Sequence, residues 1–495
     1  MSLFKDDKAE QTIDQREYVT GSEREQETPL GFHEEINERA LIRKIDWHIV
    51  PVLSILYLLS FLDRTNIGNA SLFGLQPDLG LKGMQYSACL AIFFAFYVLF
   101  EVPSNMVMKA WRPSMWLPII MVAWGIVITL TGIVKNFQGL FVARIFLGIT
   151  EAGLFPGVSF FLTLWYRRHE TNLRIALFFS AATVAGAFGG LLARLINLMD
   201  GVGGQEGWRW IFILEGILTI VVAIASFWML YDYPDTAKFL SPAEKAFVKD
   251  RLHLDSVGLS SAFKGKFVLH AFLDYKIWLL SFIYIGALMP VYAFSLFSPT
   301  LIANLGYTAA TAQLLSVPPY VLAALTTVIA GFLSDRAGRR GVFILGFSLL
   351  GLVGFTMCIA TPNPRIGYAG VFLGAAGIYP LIPLIVSWSA NTMGGSLKRS
   401  VGMAIVISIG NAGGVISSFI YRAKDKPRYF LGHGVVIGFV AMTFFLTCIL
   451  MLILSRKNAK RLAIAEARNG RPWSETEKLE QEERGDDADY FIYTL

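Results

Sequence analysis

The chain is predicted to be an all-α membrane protein with twelve transmembrane helices in two six-helix bundles. Composition is the first reason. Of 495 residues 54% are hydrophobic and 16% charged, mean hydropathy is +0.53, and the charges cluster between long apolar stretches. The length of the apolar runs is the second. Apolar segments run over 47–69, 86–108, 114–134, 138–166, 173–197, 209–231, 276–303, 309–333, 341–360, 366–391, 400–421 and 434–455, and most reach the roughly 20 residues that a membrane-spanning helix needs. The third is a longer polar connection, 232–275, that separates six segments from six. The expected domains are therefore an arm 1–45, a bundle 46–231, a linker 232–275, a second bundle 276–455 and a tail 456–495.

Taken from the N-terminus, residues 1–45 are rich in Glu, Asp, Arg and Lys and read as a disordered arm. The first apolar run comes only after this polar stretch, so no cleavable signal peptide is expected. Orientation follows from Lys and Arg in the connections. With the N-terminus inside, the inner loops hold Lys109, Arg112, Arg167, Arg168, Arg174, the linker cations, Arg336, Arg339, Arg340, Lys398 and Arg399. Outer loops before the last hold only Lys82, Lys135, Arg209 and Arg365. The last outer loop, with Arg422, Lys424, Lys426 and Arg428, breaks the pattern, and early loops outweigh it. Both termini are expected in the cytoplasm of a monomeric plasma-membrane protein. Within the linker, Ser241, Pro242 and Glu244 signal the start of a surface helix. The tail 456–495 reads as a second disordered arm. The net charge of +6 is accounted for by the inner loops and suggests no nucleic acid, and the apolar runs make a lipid bilayer the expected partner. Cys89, Cys358 and Cys448 lie in separate apolar runs without metal spacing and read as small core residues.

Function is carried by charges at membrane depth. Such groups cost about 2.5–3.5 kcal/mol on insertion scales and mark substrate or ion paths. Asp63 and Arg64 are adjacent in the first segment, and Arg144 and Glu151 are seven residues apart in the fourth. Two helical turns leave Arg144 and Glu151 on one face, whereas adjacent residues point about 100° apart, so Asp63 and Arg64 cannot aim at one spot. All four can border one central cavity, and segments seven to twelve offer no buried counterpart. Cations at this depth suit an anion, because an Arg fork grips a carboxylate through two parallel hydrogen bonds. Carboxyls beside them suit protons as the coupling ion, with no other cofactor.

Gly331-Phe332-Leu333-Ser334-Asp335-Arg336-Ala337-Gly338-Arg339-Arg340 closely resembles the loop motif of the major facilitator superfamily. Glycine-rich stretches at Ala185–Gly190 and Gly410–Gly414 echo each other in the two halves, and small residues let backbones approach closely. The first-half loop, from Glu101 to Arg112, lacks the Asp-Arg-x-Gly-Arg pattern, and that departure is similar to the fungal allantoate and nicotinate permease group of the anion:cation symporters. Asp63-Arg64-Thr65-Asn66-Ile67-Gly68-Asn69, Leu164-Trp165-Tyr166-Arg167-Arg168, Gly207-Trp208-Arg209-Trp210-Ile211-Phe212-Ile213-Leu214-Glu215-Gly216, Trp388 with Asn391, and Asn411 resemble the same group.

The resemblance implies that Arg64 contacts a substrate carboxylate, that Asp63 and Glu151 take protons and that Arg144 serves coupling. It implies a gating latch of Asp335, Arg336, Arg339 and Arg340, to which Glu101, near the inner end of its helix, is assigned. Asn411, in a glycine-rich stretch, is a further candidate for substrate or for a helix–helix bond. Tyr97, Tyr292 and Tyr379 can stack on a ring or donate to a carboxylate. The expected activity is proton-coupled import of a small organic anion such as nicotinate, allantoate or another vitamin or nitrogen-source carboxylate, by alternating access. The alternative is a proton-driven efflux antiporter for drugs or metabolites, against which the fifth segment lacks proline. A non-transporting sensor is disfavoured by the retained charges. No nucleophile–base pair or metal spacing suggests an enzyme.

Overall fold

The computed structural model describes residues 36–256, 265–394, 396–426, 428–468, 474, 477, 481 and 484–495. Most of the expected N-terminal arm, residues 257–264 of the linker and most of 469–483 lie outside these. The chain divides into Met1–Ile42 and Arg43–Leu495. The described part of the first unit is helical from Glu38, and the second unit holds the membrane-spanning bundles.

Among the described residues, twelve helices are long and apolar enough to cross a membrane. They are α1 (Glu38–Leu72), α2 (Gln85–Met108), α3 (Pro113–Thr131), α4 (Phe137–Leu162), α5 (Leu177–Met199), α6 (Gly207–Met229), α7 (Tyr275–Ala303), α8 (Ala309–Ala337), α9 (Arg340–Ala360), α10 (Pro364–Thr392), α11 (Lys398–Ile420) and α12 (Phe430–Arg468). Their starts follow local rules. The Asn136 side chain caps α4 by accepting from Gly139 N at 2.9 Å, and Asp274 caps α7 by accepting from Lys276 N at 2.9 Å. In the linker, Ser241 Oγ accepts from Glu244 N at 3.2 Å while Glu244 Oε2 accepts from Ser241 N at 2.7 Å. This reciprocal cap starts helix Pro242–Ser256.

The packing shows a repeat. In the first half α3 pairs with α6 and α2 with α4, and the corresponding α9–α12 and α8–α10 pairs recur in the second. The halves meet through α5 on α8 and α2 on α11, which are each other's counterparts. Glycine makes both approaches possible. A Cβ on Gly186 of α5 would sit 2.4 Å from the Tyr320 ring of α8, and one on Gly414 of α11 would sit 2.1 Å from the Phe94 ring of α2. A second echo is a break in mid-membrane. The α4 helix is interrupted between Glu151 and Leu154, and α10 between Ile378 and Leu381. Irregular backbone at that depth is tolerated where protein or a cavity surrounds it.

The C-terminus corrects the expectation of a disordered tail. Helix α12 continues to Arg468, and residues 484–495 pack on the ends of α7, α10, α11 and α12. Asp486 is fully buried, hydrogen-bonds to Lys276 Nζ and accepts from Lys398 Nζ at 2.7 Å. Tyr493 and Asn458 exchange two bonds, at 2.8 and 2.9 Å. Trp388 Nε1 donates to Thr494 O at 2.9 Å. A polar segment is held because lysines at the helix ends need partners once water is displaced.

Asp487 makes this docking sensitive to acid. Partial burial pushes its carboxyl up, but the Lys276 ammonium and hydrogen bonds from Lys457 and Lys276 outweigh burial and hold it well below the ordinary range. A depressed carboxyl contributes its stability above the unfolded value, here 3.8, and loses it as the pH falls further. The segment is therefore expected to stay docked down to pH of about 4 and to lose only the small contribution of a half-exposed pair, about 0–1 kcal/mol, below it. Anisotropy of a fluorophore at Leu495→Cys reads this, and loosening near neutrality would contradict it.

Candidate functional site

The site is built on two faces of α1. Ser60 and Arg64 are four residues apart and share one face, while Asp63 and Asn66 share another. The first face meets the α4 break. Arg64 Nη2 and Ser60 Oγ each donate to Glu151 Oε1 at 2.6 Å. Arg64, Glu151 and Ser60 are all buried, so this is a desolvated ion pair with hydrogen-bond support. Aromatic rings surround the guanidinium, whose carbon lies 5.5 Å from the Phe93 centroid, 5.1 Å from Tyr97 and 5.6 Å from Tyr292. Arg64 Nη1 also donates to Tyr292 Oη at 3.3 Å.

From Arg64 a chain of bonds crosses both halves. Tyr292 Oη donates to Asn411 Oδ1 at 2.6 Å, and Asn411 Nδ2 donates to Glu101 Oε2 at 3.1 Å. A small cavity beside this chain is lined by Tyr57, Phe61, Arg64, Tyr97, Phe155, Phe179, Tyr284, Leu288, Val291, Tyr292 and Asn411. Its wall is aromatic with few polar groups, as small-molecule sites are. The expected residues Arg64, Glu151, Tyr97, Tyr292 and Asn411 thus meet. Glu101 joins them rather than the latch to which the sequence assigned it.

Three expected members stand apart. Asp63 points between α3 and α6, where its Oδ2 accepts from Trp124 Nε1 at 3.0 Å and Thr219 Oγ1 at 2.9 Å. Arg144 packs over Phe93, 4.7 Å from its centroid, and donates from Nε to Cys89 O at 3.3 Å. One ring therefore lies against both guanidiniums. The idea of four charges bordering one cavity is corrected to one ion pair, one shielded cation and one acid on another face. Tyr379 sits at the α10 break against Phe294 and Tyr320, with centroids 6.1 and 5.8 Å away, outside the cavity lining.

In the loop motif, Arg340 is buried and donates to Ser387 O at 2.7 Å and to Asp335 Oδ1 at 3.5 Å. These bonds tie the α8–α9 turn to α10. Arg336 and Arg339 are exposed.

A family model of the Major Facilitator Superfamily matches residues 53–417 and 280–480. The chain belongs to the major facilitator superfamily. Among its relatives, this facilitator is 36% identical over 477 residues to the MFS-type transporter cnsO of Penicillium expansum, covering 93% of this chain and 91% of that protein. It is 31% identical over 477 residues to the high-affinity nicotinic acid transporter of Saccharomyces cerevisiae, covering 96% and 88%. A crystal structure of a bacterial homolog to human lysosomal transporter Spinster, inward-facing and occupied, aligns with TM-score 0.60 at 17% identity, covering 82% of this chain and 96% of that one. The fold is therefore that of a facilitator, a transporter rather than an enzyme.

The sequence reading missed several residues of this facilitator. Phe93 and Tyr284 carried no signal beyond aromaticity. Glu215 did carry one, since it is an acid inside an apolar span. In the structure it is buried and accepts from Asn66 Nδ2 at 2.6 Å.

Proposed function

We propose that this facilitator imports a small organic anion together with protons, across the plasma membrane and with both termini cytoplasmic. The observation that carries the reading is the buried Arg64–Glu151 pair, 2.6 Å long, beside a cavity walled by aromatic rings. A substrate carboxylate needs the same guanidinium that Glu151 occupies. When it takes Arg64, Glu151 is left in a water-poor site with only Ser60 to bond it, and a carboxyl so placed binds a proton. Anion and proton then load together. Tyr97 and Tyr292 can stack on a planar ring, while Asn411 fixes orientation through the chain to Glu101. The relative that transports nicotinic acid supports an aromatic monocarboxylate of nicotinate type as substrate class, with allantoate-like anions as the next candidates. If more protons than negative charges travel, an inside-negative potential assists by about 2.3 kcal/mol per net charge per 100 mV.

The test is uptake of radiolabelled carboxylates into proteoliposomes with and without an inward proton gradient. Gradient-driven accumulation is expected. Import that ignores the gradient would sink the reading, and outward drug movement would favour the antiporter. Glu151→Gln is expected to preserve substrate exchange and to lose proton-driven accumulation, because the amide keeps Arg64 free for substrate but cannot titrate. Accumulation against the gradient by that variant would remove Glu151 from the proton path.

A further inference from the structure

A second pair of carboxyls lies on the other face of α1, apart from the Arg64 site. Asp63 and Asn66 of α1 face Thr219 and Glu215 of α6, which are also one turn apart. The contacts form two rungs: Thr219 Oγ1 to Asp63 Oδ2 at 2.9 Å, and Asn66 Nδ2 to Glu215 Oε2 at 2.6 Å. Trp124 of α3 closes the side by donating to Asp63 Oδ2 at 3.0 Å. Asp63 and Asn66 have no exposed surface and Glu215 has 1%.

Hydrogen-bond bookkeeping shows what this site lacks. Asp63 Oδ1, Glu215 Oε1 and Asn66 Oδ1 are buried acceptors with no donor among the described residues. The site is rich in oxygen and short of hydrogen. Charge leads to the same conclusion. No Lys or Arg forms an ion pair with Asp63 or Glu215 among the described residues, and Asp63 is the charged neighbour that acts on Glu215. The other charge that acts on Asp63 is Glu151 of α4, across α1 on its opposite face, where it is paired with Arg64. Two uncompensated carboxylates in a dry interface are strongly unfavourable. Protons on the carboxyls remove that charge and supply the missing donors.

We propose that Asp63 and Glu215 act as one proton-binding pair between α1 and α6, and that Glu215 is a second coupling residue of this transporter. The proposal rests on the proton-coupled reading above. Its link to the anion site is α1 itself, since the residue next to Asp63 is the one that exchanges Glu151 for substrate. A shift of α1 at Arg64 therefore moves Asp63 and Asn66 against Thr219 and Glu215, which alters the rungs and the proton affinity of the pair.

Two measurements test this on the intact protein. The first needs no substrate. The infrared carboxylic-acid C=O band of the purified wild type is titrated with protons, and part of it is expected to disappear in both Glu215→Gln and Asp63→Asn. A band unchanged in both variants, or removed by sodium at fixed pH, would overturn the proton pair, the latter in favour of a sodium site. The second is the ratio of protons to radiolabelled nicotinate in proteoliposomes. Glu215→Gln is expected to lower the ratio by about one proton and to flatten the pH profile of uptake, and the double variant to lose no more than either single one, as groups acting as a unit do. An amide is the neutral isostere of a protonated acid. A wild-type ratio and profile in Glu215→Gln would therefore show a permanently protonated packing group and overturn the coupling role. Uptake by the wild type that ignores protons while the band still titrates would instead overturn the symport reading alone and leave the proton pair standing.

Discussion

Arg64→Lys is expected to reduce nicotinate uptake by about 30-fold or more, since disrupting a buried charged hydrogen-bond pair costs roughly 2–5 kcal/mol. The charge is retained, so the loss comes from shape. Arg64 uses Nη2 on Glu151 and Nη1 on Tyr292, while its guanidinium carbon lies 5.5, 5.1 and 5.6 Å from the Phe93, Tyr97 and Tyr292 ring centroids. An ammonium has no plane to stack and no fork for a carboxylate. It is also more strongly hydrated, and the site has few groups to replace that water. Binding of labelled nicotinate to purified protein separates this from a transport defect, because the variant should fail already at binding. Retention of wild-type affinity would show that Arg64 only holds Glu151 in place.

The twelve spans were legible because a bilayer dictates both composition and length. Segment boundaries agree with the helices within a few residues except at the ends of the chain, where α1 begins at Glu38 and α12 runs to Arg468. There the added turns leave the apolar region and no longer need apolar residues. The divergence of Asp63 from Arg64 was also legible, from the 100° step between neighbours. What lay on Asp63's own face was not. Trp124 and Thr219 are 61 and 156 positions away, and nothing local to Asp63 specifies them. Glu101 was misplaced for a related reason. Position along α2 suggests the loop, but its partner Asn411 lies 310 residues away in the other half. The tail is the extreme case: its polarity reads as solvated until the lysines it covers, 210 and 88 residues distant, are known.

Asp486→Ala is expected to be the most destabilising single change at the C-terminus, at about 3 kcal/mol, the cost of leaving buried charges without their partner. Asp486 is fully buried, and the side chains of Lys276 and Lys398 retain 2% and 10% exposure. Without it Lys398 keeps Asp274 at 2.6 Å, and Lys276 keeps Asp274 at 3.4 Å and Asp487 at 3.2 Å. Lys398 would then have only Asp274, which it shares with Lys276, in a site with little water. The variant can relieve the unpaired charge by undocking. Its loss therefore cannot exceed that of deleting 485–495, in which the lysines are hydrated but the Tyr493 and Trp388 bonds are gone. The order expected in thermal unfolding of the purified protein is deletion at or below Asp486→Ala, with Asp487→Ala well above both. Asp487 is half exposed, and such pairs contribute only about 0–1 kcal/mol. A fall of roughly 6–12 °C for Asp486→Ala follows from the usual scaling for a bundle of this size. An equal shift for Asp487→Ala would show that burial at Asp486 is not what holds the segment down.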